Sequence, residues 1–290
     1  MTNRRDFLKH ASMMVAGGFL GSQLLSSCGG NAVKKNIGLQ LYSLRDDINE
    51  LGIKKVLEIV SKMGYTNLEA AGYGDGLIYG TEPVEFKKIV DGLGMKITSA
   101  HVGRAYSEDH AADMAWWSQC IETHAKAGLK YLVMPWAPLG KDSTADDVKK
   151  YGEYFTEVGL SAATSSLAFG YHNHAHEFQT IIDGQSIYDR LLESSSPDHV
   201  MFENDVYWTQ AGGANPVEYL KKYPKRIKLL HIKDETVIGA SGTLDFKAIF
   251  EQFYANGFKD WYVEVERYDG TPQEDVQKSY DFLNAATFVK

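Results

Sequence analysis

Three histidines within five residues form the densest group of chemically active side chains in the sequence. His172, His174 and His176 follow a short apolar run at 167–169, which predicts a buried strand that ends in a polar loop. Side chains alternate between the two faces of a strand, so His172 and His174 share one face. Neutral imidazole is the commonest metal ligand and a natural proton carrier near pH 7. A solvated strand end explains an isolated triplet of this kind equally well.

Three later predicted strands also end in pairs of ionisable side chains. The pairs are Glu203 with Asp205, His231 with Lys233, and Glu264 with Glu266. Two earlier predicted strands end in Glu69 and His101. Ionisable groups at strand ends in a mostly apolar interior need partners or a metal. Imidazoles mixed with carboxylates suit a first-row divalent ion such as Mn²⁺, Co²⁺, Fe²⁺ or Zn²⁺ better than Ca²⁺.

The strand ends belong to a regular alternation of apolar runs and segments with helical period. The predicted strands lie at 37–42, 67–71, 96–101, 131–134, 167–172, 200–205, 227–231 and 261–266. The predicted helices lie at 51–63, 83–93, 109–127, 144–165, 187–194, 216–222, 246–256 and 274–289. Eight such repeats predict one α/β domain over 37–290, a closed (β/α)₈ TIM barrel. Active sites of these barrels lie at the carboxyl ends of the strands, where these side chains would meet.

The glycine-rich segment 72–76 lacks the spacing of a dinucleotide-binding fingerprint. We expect it to be a flexible loop at the mouth of the barrel.

The chain from Ile37 to Val289 resembles the sugar isomerase/epimerase group of the xylose isomerase-like TIM barrels. The resemblance rests on GLQLYSLR at 38–45, YHNH at 171–174, DVYW at 205–208, HIKD at 231–234 and VE at 263–264. The family commonly takes one metal ligand from each of its last four strands, in the order Glu, Asp, His, Glu. By position, the resemblance implies one divalent ion (Mn, Co, Fe, Zn or Mg) held by His172, Asp205, His231 and Glu264. His172 departs from the Glu that many relatives carry there.

The resemblance also implies a metal-dependent isomerase or epimerase that acts on a sugar or keto-sugar through an enediolate. Glu264 or His174 would move the proton, and Lys233 would stabilise the developing oxyanion. Because His172 replaces a Glu that epimerases use as an acid/base group, a mechanism with two glutamates is in doubt. A sugar lyase or dehydratase of the keto-inositol or 3-keto-glycoside type, and a non-catalytic sugar-binding lipoprotein, stay open as alternatives.

Other strand-end residues receive supporting roles. We expect Glu203 and Glu266 to orient the ligating imidazoles through hydrogen bonds. The candidates for substrate binding are Glu69, His101, Tyr42, Trp136 and Trp208. Alternatively, Glu69 pairs with a cation such as Arg45, and His101 is an ordinary buried histidine of the barrel interior.

Residues 1–27 have the pattern of an export signal. Arg4 and Arg5 precede an apolar stretch at 11–25, and the Leu-Ser-Ser-Cys sequence that ends at Cys28 resembles a lipobox. We therefore expect lipidation of Cys28, a tether at 28–36, and a periplasmic or cell-surface lipoprotein that contacts the membrane through its lipid. A plain cleavable signal is the alternative.

Charge and cysteine content limit the partners. The formal net charge of −8 is a poor match for a phosphate backbone, which argues against nucleic acid. A small carbohydrate is the expected partner, and homo-oligomerisation stays open. Cys28 and Cys120 are the only cysteines, and Cys120 lies in a helical pattern as a core residue. Lipidation would consume Cys28 and leave Cys120 unpaired, so the fold must be stable without a disulfide, which a chain of this length achieves from its core.

Overall fold

The computed structural model describes residues 35–290. The predicted export signal, Cys28 and all but the last two residues of the predicted tether lie outside the described residues. Within the described range, no helix is both long and apolar enough to cross a membrane.

Eight parallel strands close into a barrel, as predicted. They are β1 (Gly38–Gln40), β2 (Asn67–Ala70), β3 (Lys96–His101), β4 (Tyr131–Met134), β5 (Ala168–His172), β6 (Val200–Asp205), β7 (Ile227–Ile232) and β8 (Trp261–Val263). Each strand pairs with its neighbours in sequence, and β1 also pairs with β8 to close the barrel. The carboxyl ends of all eight strands therefore meet at one end of the barrel.

Helices surround the barrel between successive strands. The longer ones are Arg45–Leu51, Ile53–Met63, Pro83–Gly92, His110–Lys126, Ala145–Ala163, Ile187–Ser194, Pro216–Lys222, Phe246–Ala255 and Pro272–Ala285. A short helix at His176–Gln179 begins four residues after the end of β5, and another at Val206–Ala211 follows β6 directly.

The structure corrects three sequence-based expectations. The predicted helix at 51–63 is two helices that begin at Arg45 and break at Gly52, whose φ of 80° lies in the region that favours glycine. The glycine-rich segment at 72–76 is a small hairpin, because Tyr73–Gly74 pairs with Leu77–Ile78. Strand β8 ends at Val263, so Glu264 and Glu266 lie in the segment just beyond it.

A buried apolar cluster inside the barrel lies next to the polar side chains at the carboxyl ends of the strands. Val133, Met201, Leu229 and Tyr262 form a separate buried cluster. Three of them lie two residues before Glu203, His231 and Glu264 on the same chain segments. Because side chains two residues apart share a strand face, Glu203, His231 and Glu264 also point into the barrel. Alternation along the strands thus places the ionisable groups in one layer above an apolar one.

Candidate metal and substrate site

Four side chains converge at the carboxyl end of the barrel. His172, Asp205, His231 and Glu264 are all buried, and one ligand atom from each lies within 4.8 Å of the others. Three of these residues contain a buried polar atom with no hydrogen-bond partner, namely His172 Nδ1, Asp205 Oδ2 and His231 Nδ1. An unpaired buried polar group costs about 1–3 kcal/mol. A divalent ion would satisfy such atoms, so these residues fit the ion that the sequence predicts.

Glu69 positions the ring of His231. His231 Nε2 lies 2.5 Å from Glu69 Oε2, and His231 Nδ1 lies 3.3 Å from Glu264 Oε2. Gln40 Nε2 donates to Glu69 Oε2 at 2.7 Å, and the Ser99 hydroxyl donates to Oε1 at 2.6 Å. Metal-binding histidines usually donate their second ring N–H to such a carboxylate. Glu69 therefore leaves the Nδ1 atom of His231 available to the cluster.

Glu69 does not lie where its predicted role in substrate binding would require. Its side chain is fully buried and is not among the residues that line the cavity above the cluster. The alternative pairing with Arg45 is wrong, because Arg45 donates to the Tyr268 hydroxyl and to the carbonyl oxygens of Tyr42 and Glu266.

Glu203 lies among three imidazoles below the cluster. Its Oε2 atom is 2.7 Å from His101 Nε2, 3.2 Å from His231 Nε2 and 3.3 Å from His172 Nδ1. Burial and the nearby Glu69 carboxylate raise the pKa of Glu203 to about 7, although His231 and His101 oppose this effect. This geometry suits the orienting role predicted for Glu203.

A second group with metal-ligand spacing contains His101, His172, Glu203 and His231. Two of its ring nitrogens, His101 Nε2 and His231 Nε2, are already within hydrogen-bonding reach of Glu203 and Glu69. The two groups share the unpaired His172 Nδ1 and His231 Nδ1, and the group with Asp205 adds the unpaired Asp205 Oδ2. We therefore assign the expected ion to the group with Asp205.

Lys233 joins two carboxylates at the edge of the site. Its Nζ atom lies 3.0 Å from Glu264 Oε2 and 2.5 Å from Glu266 Oε2, and 4.9 Å from the centre of the Trp208 ring. Burial alone would raise the pKa of Glu264, but Lys233 and His231 hold it well below its ordinary value. Glu264 is thus kept as a carboxylate, the form that binds cations. Glu266 pairs with Lys233 and not with an imidazole, which differs from its predicted role.

A cavity of about 330 Å³ opens above the cluster. It is lined by Tyr42, Ala71, His101, Pro135, Trp136, His172, His174, Glu264 and Glu266. Tyr42 and Trp136 are 44% and 52% exposed. The structure thus brings three predicted substrate-binding residues to this cavity, whereas Trp208 packs against His174 with ring centres 5.9 Å apart. Among residues 35–290, no lysine or arginine lines the cavity.

His174 is a neutral base beside this cavity. Burial lowers the pKa of His174 to about 4, and its Nδ1 atom is buried with no hydrogen-bond partner. The backbone N–H of His174 donates to Glu177 Oε2 at 2.8 Å, and the Tyr171 hydroxyl donates to Glu177 Oε1 at 2.6 Å. Glu177 follows the histidine triplet directly in the sequence, and its side chain is fully buried. Glu177 fixes the turn that presents His174.

Comparison with known proteins identifies the family. Residues 57–286 match the family described as the xylose isomerase-like TIM barrel. The chain belongs to that family. The match covers most of the chain and includes all four clustered residues.

Several relatives of this xylose isomerase-like barrel have known structures or curated activities. A crystal structure from Parabacteroides distasonis ATCC 8503, described as a sugar phosphate isomerase/epimerase, is 40% identical with a TM-score of 0.82, over 88% of this chain and 100% of that chain. The inosose dehydratase of Geobacillus kaustophilus is 24% identical over 213 residues, which are 66% of each chain. The inosose dehydratase of Lacticaseibacillus casei is 24% identical over 290 residues, 83% of this chain and 93% of that protein.

Membership of the xylose isomerase-like family confirms the resemblance found in the sequence. It also places the chain in an enzyme superfamily that contains sugar isomerases, epimerases and dehydratases.

Proposed function

We propose that the protein is a divalent-metal-dependent isomerase or epimerase that removes a proton next to the carbonyl of a sugar or keto-sugar. The observation that carries this proposal is the convergence of His172, Asp205, His231 and Glu264 beneath a cavity at the carboxyl end of the barrel. When bound there, a divalent ion would act as a Lewis acid toward substrate oxygens.

His174 is the proposed proton acceptor. It lines the cavity, and its low pKa keeps the ring neutral at ordinary pH. Glu264, the other candidate from the sequence, is held as a carboxylate by Lys233. Proton transfer is therefore assigned to His174, and metal binding to Glu264. Lys233 acts through Glu264 in this assignment, because its ammonium group is already paired with two carboxylates.

The proposed substrate is an unphosphorylated carbohydrate. Glu264 and Glu266 line the cavity, whereas Lys233, which pairs with both, does not, and no other lysine or arginine among the described residues lines it. Carboxylates facing a phosphate would repel it. Tyr42 and Trp136 offer exposed aromatic rings at the rim, and such rings pack against the apolar faces of sugars.

Dehydration is the second candidate reaction. Inosose dehydratases are among the relatives with curated activities, and the longer matches to them cover 82–87% of this chain. A single imidazole base also suits one-sided proton removal, after which a neighbouring hydroxyl group leaves as water. Epimerisation requires proton delivery on the opposite face, for which the cavity lining offers carboxylates and His101.

One experiment tests both reactions. Protein loaded with Mn²⁺, Co²⁺ or Zn²⁺ is incubated in heavy water with neutral aldoses, ketoses and 3-keto-glycosides, and with sugar phosphates as the matched comparison. Mass spectrometry measures exchange of carbon-bound hydrogen and loss of water. We expect deuterium in neutral substrates at or above the rate of product formation. Hydrogen transfer wholly within the substrate, without exchange, would contradict the role of His174.

We also propose that the protein is exported and lipidated at Cys28. The twin arginines, the apolar stretch and the lipobox-like sequence support this location. Labelling cells with a fatty-acid analogue tests the proposal. A Cys28→Ser protein that is still labelled and still bound to membranes would rule it out.

A further inference from the structure

A larger cavity lies at the opposite end of the barrel from the candidate site. Its volume is about 650 Å³. Asn36, Asn67, Lys96, Lys130 and Asp260 line it, and each lies at or within two residues of the start of β1, β2, β3, β4 or β8. The cavity is therefore centred on the amino-terminal face of the barrel.

The cavity has a positive lining in an acidic protein. Lys96, Lys130, Lys259 and Lys290 all line it and are all exposed. Among the described residues, Lys96 and Lys259 have no carboxylate partner within 4.0 Å.

The one side-chain carboxylate among the lining residues is already engaged. Asp260 lies 3.7 Å from Lys130 and accepts a hydrogen bond from the Tyr131 hydroxyl at 2.8 Å. The ammonium groups around it are thus only partly neutralised. Such a surface concentrates anions in front of it.

The chain enters the barrel on this same face. Asn36 lines the cavity, and β1 begins two residues later. The eight residue-to-residue steps from Cys28 to Asn36 span at most about 28 Å when fully extended. A lipid on Cys28 would therefore keep this face, and not the cavity with His174, next to the bilayer.

We propose that the amino-terminal face of the barrel docks on an anionic phospholipid surface through these four lysines. The catalytic cavity then opens away from the membrane, toward soluble carbohydrate. Each lysine near an anionic membrane adds roughly fivefold to partitioning. The orientation rests on the proposed lipidation of Cys28, whereas the attraction itself is a property of the barrel.

Vesicle sedimentation tests the attraction without the lipid. Residues 35–290 form one compact unit that contains the closed barrel, so this unit is mixed with vesicles of phosphatidylglycerol and phosphatidylethanolamine, or of phosphatidylcholine. We expect binding only to the anionic vesicles and weaker binding as salt screens the charges. Lys96→Gln with Lys259→Gln should reduce partitioning roughly thirtyfold.

A matched variant carries the same change of net charge elsewhere. Lys54 and Lys141 are exposed and follow β1 and β4, at the other end of the barrel. Lys54→Gln with Lys141→Gln should leave partitioning within about twofold of the wild type. Equal losses in the two variants, or no preference for anionic vesicles, would overturn the proposal. Saturable binding of inorganic phosphate without vesicle binding would also overturn it, and would assign the cavity to small anions. Fatty-acid labelling separately tests lipidation.

Discussion

Glu69 Oε2 lies 2.5 Å from His231 Nε2, and this contact joins β2 to β7 across the interior of the barrel. Both side chains are fully buried. Gln40 and Ser99 hold the two carboxylate oxygens from the neighbouring strands β1 and β3. The ring of His231 is consequently fixed with its second nitrogen toward Glu264. Strands β1, β2 and β3 contribute no residue to the metal-ligand cluster, but they set the orientation of His231 on β7, which belongs to it.

Glu69→Gln should weaken metal binding about 10- to 100-fold, because an amide is a poorer partner for the His231 N–H than a carboxylate. Competition with a chromophoric chelator measures the affinity. Glu85→Gln, on an exposed helix position, is the matched control and should retain wild-type affinity. Equal affinities of the two variants would show that Glu69 does not position His231.

His231→Ala should abolish metal retention while leaving the barrel folded. At a metal concentration a hundred times Kd, binding stabilises the native state by about 2.7 kcal/mol. The wild type should therefore show a higher Tm with metal than without it, and His231→Ala should show none of this shift. Circular dichroism checks the fold, and His110→Ala, far along the chain on a surface helix, serves as the control. A metal-dependent shift that survives in His231→Ala would remove this residue from the ligand set.

Lys233→Met should destabilise the protein by about 3–5 kcal/mol, because it leaves Glu264 and Glu266 together without their cation. The pKa of Glu264 should also rise, since Lys233 is the largest influence that lowers it. Urea unfolding of the metal-free protein measures the loss. Adding Glu266→Gln to this variant removes one unpaired carboxylate and should recover part of the stability. No recovery would mean that the three charges are not coupled.

His174→Asn should lower kcat by about 10²- to 10⁴-fold, the usual contribution of a general base. Metal content should stay unchanged, because His174 is outside the assigned ligand set. Deuterium exchange into substrate should fall in parallel with kcat. A variant that still exchanges at the wild-type rate would assign proton removal to another group.

His124 should make the fold sensitive to mild acid. It is fully buried, its Nδ1 atom donates to the Cys120 carbonyl oxygen at 2.7 Å, and burial lowers the pKa of His124 to about 4. The unfolded chain, with an ordinary histidine pKa near 6.5, binds this proton first as pH falls. Stability is therefore full above about pH 6.5 and declines by on the order of 3 kcal/mol down to pH 4.

Urea unfolding at several pH values tests this titration. His124→Gln, which cannot titrate, should lose less stability than the wild type across the same interval. The buried site histidines contribute similarly to both proteins, so the difference between the two curves isolates His124. Parallel curves would contradict the assignment.

Local sequence pattern was enough to predict the barrel and the side chains of its polar layer. Strands β3, β4 and β6 have the predicted bounds, because β3 and β6 end at polar residues and Pro135 follows β4. The pairing of Glu203 with Asp205 on one face follows from strand alternation alone. These features need no knowledge of distant contacts.

Contacts made by barrel closure could not be predicted in this way. Glu69 and His231 are 162 residues apart, and no local pattern indicates that β2 faces β7. The contact between Lys233 and Glu266 was equally hard to predict, since Glu266 follows a strand that ends three residues before the predicted bound. The first helix was missed because none of its residues from Arg45 to Leu51 is buried, so it lacks an apolar stripe.

The four clustered donors come from four consecutive parts of the barrel wall: β5, β6, β7 and the segment just after β8. An ion held there would cross-link one half of the barrel, while β1 to β4 would depend on packing and hydrogen bonds alone. Cross-linked segments open less often, which slows amide hydrogen exchange within them. The boundaries between β4 and β5 and between β8 and β1 would then separate the metal-bound half of the barrel, β5 to β8, from the half that opens independently, β1 to β4.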